Sequence, residues 1–558
     1  MKNKDKYIDD LSNYRFQIMF VDKIFSLNIK NEEKTKEFLH FRIKEFSHVL
    51  RNELICKWIG LTDKVNSGNN RYLLIDKTTE VVNSTLGKIL SSGIMPAYPF
   101  FILSIINYYD TFEKPLDQEI SSQGYCYQAL IYLYLRKQGV TNDEIDIYIN
   151  FLTEVSFHLF KENKVYIPKT DFDEFLIQYK SKYNFPIEAD MLLINLHNSQ
   201  IFILDSFNNY HFQYEYIYFY FVAKYLAEHL ENEEANVNNI ICNLHKNEFA
   251  YIAIFMTHHS KSVYLLDEII LNAMTLFEKY DVATLRKEEL SFFDEQINIL
   301  INEVLPDKTH APELERHNKL ESQEINEETI KNEETESDKY DNDLAKEIRR
   351  SVKTVEVMGR IIKNRAGSIE KDKLINVFEE AMQVHLRLLT SFFEIIKDEK
   401  EQKDVFNFIS SAINKLNESR KRKLTDAEIE KISKIIFWNI NFDVVYTFIS
   451  KIIKSLGSDK LSKIICEVCD RLNTPISQLV KHGVLMWNNK NLQIDEIANQ
   501  LSKKEFSGIA KKIMKTLIVD HASMHEIDYK DRQRLEAKLK LPSKRLLLES
   551  IKIDEETN

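Results

Sequence analysis

Turn-forming residues are scarce in this chain. Eleven glycines and nine prolines serve 558 residues, too few for the closely spaced reversals of a β-sandwich or barrel, so a mainly helical fold is expected. Cysteine is scarce as well. Cys56, Cys126, Cys242, Cys466 and Cys469 are odd in number and widely dispersed, which fits reduced thiols rather than a disulfide framework. No apolar run is long enough to cross a bilayer, since the longest, from Ala97 to Tyr109, is broken by Pro99, Ser104 and Asn107. Met1 to Asp10 is charged, with no apolar core or small-residue cleavage site. No signal peptide is read, and a soluble, cytoplasmic protein without membrane contact is expected. The formal net charge of −11 argues against a general nucleic-acid coat, because phosphate binding draws on clustered Lys and Arg.

Catalytic patterns are absent too. A phosphate-binding loop requires Gly, four residues, then Gly-Lys-Ser/Thr, to wrap backbone amides around phosphates. The chain has one Gly-Lys pair, Gly87-Lys88, with Val82 at the earlier glycine position and Ile89 after it. Leu73 to Asp76 and Ile201 to Asp205 are apolar runs ending in an acid, as a magnesium-coordinating strand does. Without a phosphate loop they read as a helix start and a hairpin turn. Cys466 and Cys469 have metal-ligand spacing but no second pair, and they fall within a helical pattern, so core cysteines are expected. His258-His259 reads as a helix end, and Arg420 to Lys423 as a solvated basic loop. No catalytic residue and no metal ligand is assigned.

What the chain has is core: hydrophobic residues make up 44% of it, enough for several domains. A composition break runs from Pro306 to about Asn342, rich in Glu, Asn, Lys and Thr, and is read as a disordered acidic linker. The division expected is a helical region at 1–115, a second block at 116–230, a helical cap at 231–305, the linker at 306–342 and an all-α domain at 343–558. In the first region 38–46 reads as a strand and Ser47 as a helix cap. The second block reads as helices over 122–137, 142–160, 170–180 and 187–197, a short strand at 164–167, and a hairpin of 200–204 and 210–213 around Asp205 to Asn209. Past the linker, Asn364 to Gly367 stops a helix, Thr425 to Glu428 is a capping box, and Pro475 opens another helix.

The densest signal is Tyr210 to Tyr225, where strand-like alternation at Tyr210 and Phe212 gives way to helical spacing at Tyr214, Tyr218, Phe221 and Tyr225. Helices beside a small hairpin are the ingredients of a winged helix. Three stretches together resemble the STAND class of signal-transducing ATPases, specifically NACHT-like bacterial proteins of anti-phage defence. The first runs from Phe46-Ser47 through Trp58-Ile59 and Arg71 to Leu90, then Ile94-Met-Pro96-Ala-Tyr-Pro99-Phe-Phe-Ile-Leu. It is similar to the helical segment after the nucleotide-binding core, where a proline lies against adenine; Pro96 or Pro99 takes that place. The second, Ser122 to Tyr225, resembles the family's winged helix, whose end carries Phe-x-His and then an aromatic helix. Here Tyr214 replaces the phosphate-contacting histidine, and His211 comes three residues too early to substitute. The third, Val357 to Ile369 with Leu386-Arg387, resembles a C-terminal region of some members, without an assigned role.

The resemblance implies the regulatory and sensing portion of such an ATPase, whose ATP or ADP is bound by a phosphate-loop-bearing half encoded upstream. The sequence then represents a truncated frame or a regulatory subunit; alone it carries no cofactor. A foreign protein or nucleic-acid ligand and oligomerisation on activation are implied, with the linker letting the C-terminal sensor swing. Two alternatives stay open. One is a winged-helix DNA-binding regulator, weighed against the acidic Asp143-Glu144-Ile145-Asp146 that opens the candidate reading helix. The other is a helical scaffold unrelated to ATPases.

Overall fold

Long stretches without glycine or proline fold as helix. The computed structural model is 73% helical and adds one small antiparallel sheet. It describes residues 14–16, 18, 38–39, 41, 43–61, 68–86, 95–112, 123–205, 207–260, 262–306, 311–337, 343–418, 423–488 and 492–542. Gly87-Lys88 and most of the Arg420 to Lys423 run lie outside them. The chain divides into two units, Met1–Phe46 and Ser47–Asn558. In the first, the described residues form neither helix nor strand. The strand expected over 38–46 is therefore corrected: alternation alone does not make a strand where no described neighbour completes a hydrogen-bond ladder.

In the second unit, α1 (His48–Leu61) follows Ser47, whose hydroxyl accepts the Leu50 amide at 3.4 Å. After α2 (Gly68–Thr85), α3 (Pro99–Phe112) begins on Pro99, at the position where a missing N–H costs nothing. α4 (Gln123–Lys137) and α5 (Asn142–Lys161) come next, the latter preceded by Thr141, whose amide donates to the Glu144 carboxylate at 3.0 Å. β1 (Ile167–Pro168), α6 (Lys169–Lys182), α7 (Ala189–Asn198), β2 (Phe202–Leu204) and β3 (Asn209–Phe212) complete the second block. The sheet order is β1-β3-β2, all antiparallel, with Phe202 opposite Phe212 and Ile167 opposite Tyr210. At the hairpin turn, the Asp205 carboxylate accepts the amides of Phe207 and Asn209 at 2.8 and 2.9 Å, the Asx geometry that Asp favours in turns.

α8 (Glu215–Glu228) carries the aromatic stretch into the interior. Its buried residues are Tyr216, Ile217, Phe219, Tyr220, Phe221, Val222, Ala223 and Leu226, whereas Tyr214, Tyr218 and Tyr225 are half-buried. The face expected from the spacing is thus rotated, because α5 and α10 cover the helix from two sides. α9 (Glu234–Cys242), α10 (Asn247–His259) and α11 (Val263–Met274) lead to the short α12 (Ser291–Asp294) and a 3₁₀ turn at Ile297–Ile299.

α13 (Pro312–Ser337) occupies most of the segment expected to be a disordered linker. It packs on α1 and against one of the last helices of the chain, Gly508–Met524. Arg316 is buried and forms a two-bond pair with Asp76 at 2.5 and 3.0 Å, and its Nε donates to the Met524 carbonyl at 2.9 Å. Tyr72 donates to Glu313, and the Glu324 carboxylate accepts the Val49 amide at 2.7 Å. An acidic composition does not reveal this, because the polar side chains are satisfied by partners more than two hundred residues away. Residues 307–310 and 338–342 of that segment lie outside the described ones.

The remaining helices are α14 (Asp343–Asn364), α15 (Lys371–Lys397), α16 (Glu399–Glu418), α17 (Asp426–Leu456), α18 (Ser462–Leu472), α19 (Pro475–Asn488), α20 (Ile494–Ser502), α21 (Gly508–Met524) and α22 (Tyr529–Leu539). α17 is the axis of this half, packed on α14, α15, α16 and α19. Thr425 caps it: the Thr425 hydroxyl accepts the Glu428 amide at 3.3 Å while Glu428 accepts the Thr425 amide at 2.8 Å. Gly359 lets α14 reach the end of α17, since a Cβ there would collide with the Ser455 carbonyl oxygen.

His385 of α15 is fully buried, and neither ring nitrogen has a hydrogen-bond partner. Burial, and secondarily Lys451, push it down to about 3 from 6.5. A histidine held neutral when folded takes up a proton more readily once unfolded, so its contribution to stability is lost as pH falls from about 6.5 toward 3. Chemical denaturation at a series of pH values should show stability declining below pH 6.5. His385→Phe should flatten that decline by about one proton, ~1.4 kcal/mol per pH unit. An unchanged slope in the variant would contradict this.

Candidate functional site

The hairpin hands its chain directly to α8. The Gln213 amide donates to the Ile201 carbonyl at 3.1 Å, and Tyr214 is the N-cap residue of α8, with φ −130° and ψ 137°. From there the Tyr214 ring meets Phe101 of α3 edge-on at 5.4 Å and stacks on Tyr216 at 5.8 Å. Burial and the neighbouring Tyr98 both raise the Tyr214 phenol. Pro96 is half-buried in the connection before α3, and Pro99 is exposed at the first position of that helix. The fold therefore brings the segment holding Pro96, Tyr98, Pro99 and Phe101 to the ring of Tyr214.

Behind this surface the cluster continues inward. Tyr216 packs on Tyr127 at 5.3 Å, and Tyr127 on Phe255 at 5.0 Å, while the Tyr127 hydroxyl donates to the Thr85 carbonyl. Phe100 stacks on Tyr134 at 6.4 Å. Burial raises the Tyr134 and Tyr216 phenols and pushes the Cys126 thiol up to about 12. At neutral pH these groups are uncharged. They can stack and donate hydrogen bonds, but they supply neither a general base nor a thiolate nucleophile.

A second arrangement went unassigned in the sequence. Arg360 and Arg365, at the end and just beyond the end of α14, and Arg387 of α15 are 5%, 8% and 8% exposed. Arg365 donates to the carbonyls of Thr257 and Ser260 at 2.7 and 3.0 Å, which are the last acceptors of α10. Arg387 donates to Ala273 and Leu276 at 3.0 Å each, the end of α11, and to Glu380 at 2.8 Å. Arg360 lies over the Tyr251 ring of α10 at 5.5 Å. Each guanidinium at a helix C-terminus meets carbonyls that carry partial negative charge and retain capacity to accept a further hydrogen bond. The sequence signal was a charged residue set among apolar neighbours, as in Met358-Gly359-Arg360-Ile361 and Leu386-Arg387-Leu388.

The other candidates fall into structural places. Asp76 sits inside α2 and pairs with Arg316. Cys469 is buried on α18 and Cys466 half-buried. His258 and His259 end α10, where burial holds His258 down to about 4 and His259 well below its ordinary value. Among the described residues no group of three or more His, Cys, Asp or Glu side chains is placed to hold a metal ion, and no helix is long and apolar enough to cross a membrane.

Residues 166–222 match the family model Novel STAND NTPase 4. The matched segment begins just before β1 and ends inside α8, so it includes the whole sheet and the Tyr214 junction. Over this stretch the chain is similar to STAND NTPases. Neither the curated proteins nor the solved structures yield a match.

Replacing Arg387 with Met removes three donated bonds and leaves Glu380, itself 8% exposed, without its cation. Loss of one partner from a buried pair costs about 3–5 kcal/mol. Arg365→Met should cost less, about 1.5–3 kcal/mol, because the Thr257 and Ser260 carbonyls it leaves behind are neutral. Urea midpoints of both variants check this. A change below 0.5 kcal/mol, the ordinary range for surface substitutions, would mean that the guanidinium contacts contribute nothing.

Proposed function

We propose that this chain is the regulatory and sensing portion of a STAND-type NTPase of bacterial defence against phage, acting in the cytoplasm. α5, α6, α7 and the three-stranded sheet serve as its winged-helix-like module. The supporting observation is the coincidence of the family match with the Tyr214 junction, where the segment of Pro96 and Pro99 meets the first residue before the aromatic helix. The family's adenine-facing proline falls at Pro96 or Pro99, and its histidine position at Tyr214.

These groups suit part of a nucleotide. Exposed Pro99 and half-buried Tyr98 and Tyr214 offer flat surfaces and phenol hydroxyls, which fit a base. They offer no charge for a triphosphate, so the phosphates of ATP or ADP would be held by a P-loop portion outside these residues. The module would report the state of that portion through the Tyr214 junction, and a foreign protein or nucleic-acid ligand on the C-terminal helices would favour one arrangement of the pair by a few kcal/mol.

Calorimetric titration gives the test. The isolated chain should show no ATP binding and no hydrolysis, and binding should appear when a P-loop portion is supplied. Tyr214→Ala should then weaken nucleotide binding in the assembled pair. Micromolar ATP binding by the chain alone, or an assembled pair indifferent to Tyr214 and Pro99, would contradict the proposal.

A further inference from the structure

We propose that the exposed face of α16 is a self-association surface on which a second copy of this chain docks antiparallel. The proposal stands independently of the NTPase reading. Val405, Phe408 and Leu416 are 46%, 75% and 68% exposed, and Ala412 is exposed between them. Steps of three, four and four residues place all four on one stripe. The opposite side of the helix is already engaged. Ile409 and Asn417 are buried, the Ser410 hydroxyl donates to Ser433 of α17 at 2.9 Å, and the Asn417 side chain holds both backbone groups of Leu424. The apolar arc of α16 is therefore wider than α15 and α17 cover. Single exposed apolar residues are ordinary, but large ones aligned over three turns form a patch.

Charge selects the occupant. Glu401 and Asp404 border the N-terminal end of the stripe, and Lys415 borders its C-terminal end; all three are exposed. A second α16 laid antiparallel under a two-fold axis brings Asp404 of each copy toward Lys415 of the other, twice over. Parallel docking would set like against like. Ala412, the small residue at the centre of the stripe, and Ser411 on its flank leave room for the Phe408 ring of the second copy. A stripe about 16 Å long buries less than the ~1,200 Å² of stable complexes, so the association is weak and follows concentration.

Sedimentation velocity of the full chain over a roughly hundredfold concentration range reads this out. The weight-average mass should climb from 66.0 kDa toward the dimer. Phe408→Glu should hold the chain monomeric throughout, and Leu416→Glu provides a second variant should the first misfold by circular dichroism. Asp404→Lys or Lys415→Asp alone should weaken association by roughly two- to tenfold, and the two together should restore it. A wild-type chain that stays monomeric, association that survives both apolar-to-charged variants, or a double charge variant weaker than each single one would overturn the proposal. The first of these would assign the stripe to a different partner.

Discussion

Two guanidinium groups buried at helix ends set the arrangement of this protein. Placing an arginine in the interior is unfavourable unless its charge is met, and here Arg365 and Arg387 are met by the terminal carbonyls of α10 and α11. The contacts are directional. They fix where two helices of the first half stop relative to α14 and α15. α10 in turn is the main support of α8, and Tyr214 is the N-cap residue of α8. The position of the hairpin junction is thereby tied, through three helices, to arginines more than a hundred residues later in the chain.

That coupling gives the functional reading its physical form. The junction surface itself is chemically quiet: rings at 5.4 to 5.8 Å and phenols that burial keeps neutral. On the reading proposed above it would recognise shape and stacking, and a packed aromatic cluster does not deform continuously. The guanidinium contacts share the joining of the two halves with other directional bonds, among them the Gly508 and Ile509 amides on the Asp294 carboxylate and Lys363 on Glu80.

Helix positions were legible because they rest on local rules. Asn142 to Lys161, the Thr425 capping box and the Asp205 turn each depend on residues three or four apart, and the structure places them as the sequence indicates. The small sheet was legible for the same reason, its hairpin being marked by Asn and Asp. Long-range pairing was not legible. The acidic segment after Pro306 reads as unstructured until Asp76 and Met524 supply partners for Arg316, and no local pattern announces those partners. The aromatic helix shows an intermediate case: its identity as a buried helix was plain, but which face turned inward depended on α5 and α10 arriving from elsewhere. At the candidate site Tyr214, Pro96 and Pro99 were picked out by family resemblance, whereas Arg360, Arg365 and Arg387 lay in a quoted motif without a role, because a buried cation is explained only by what surrounds it.

The central claim is that the described residues of 343–542 and the hairpin-bearing half form one cooperative body clasped by arginines, with no freely swinging sensor. Equilibrium unfolding followed by two probes tests it directly: tryptophan emission, two of whose three reporters, Trp438 and Trp487, lie in the second half, and hydrogen exchange of α8 and α10. The account predicts coincident transitions at one denaturant midpoint. Loss of the tryptophan signal at a clearly lower midpoint, with α8 and α10 still protected, would show that the two halves unfold independently and would contradict it.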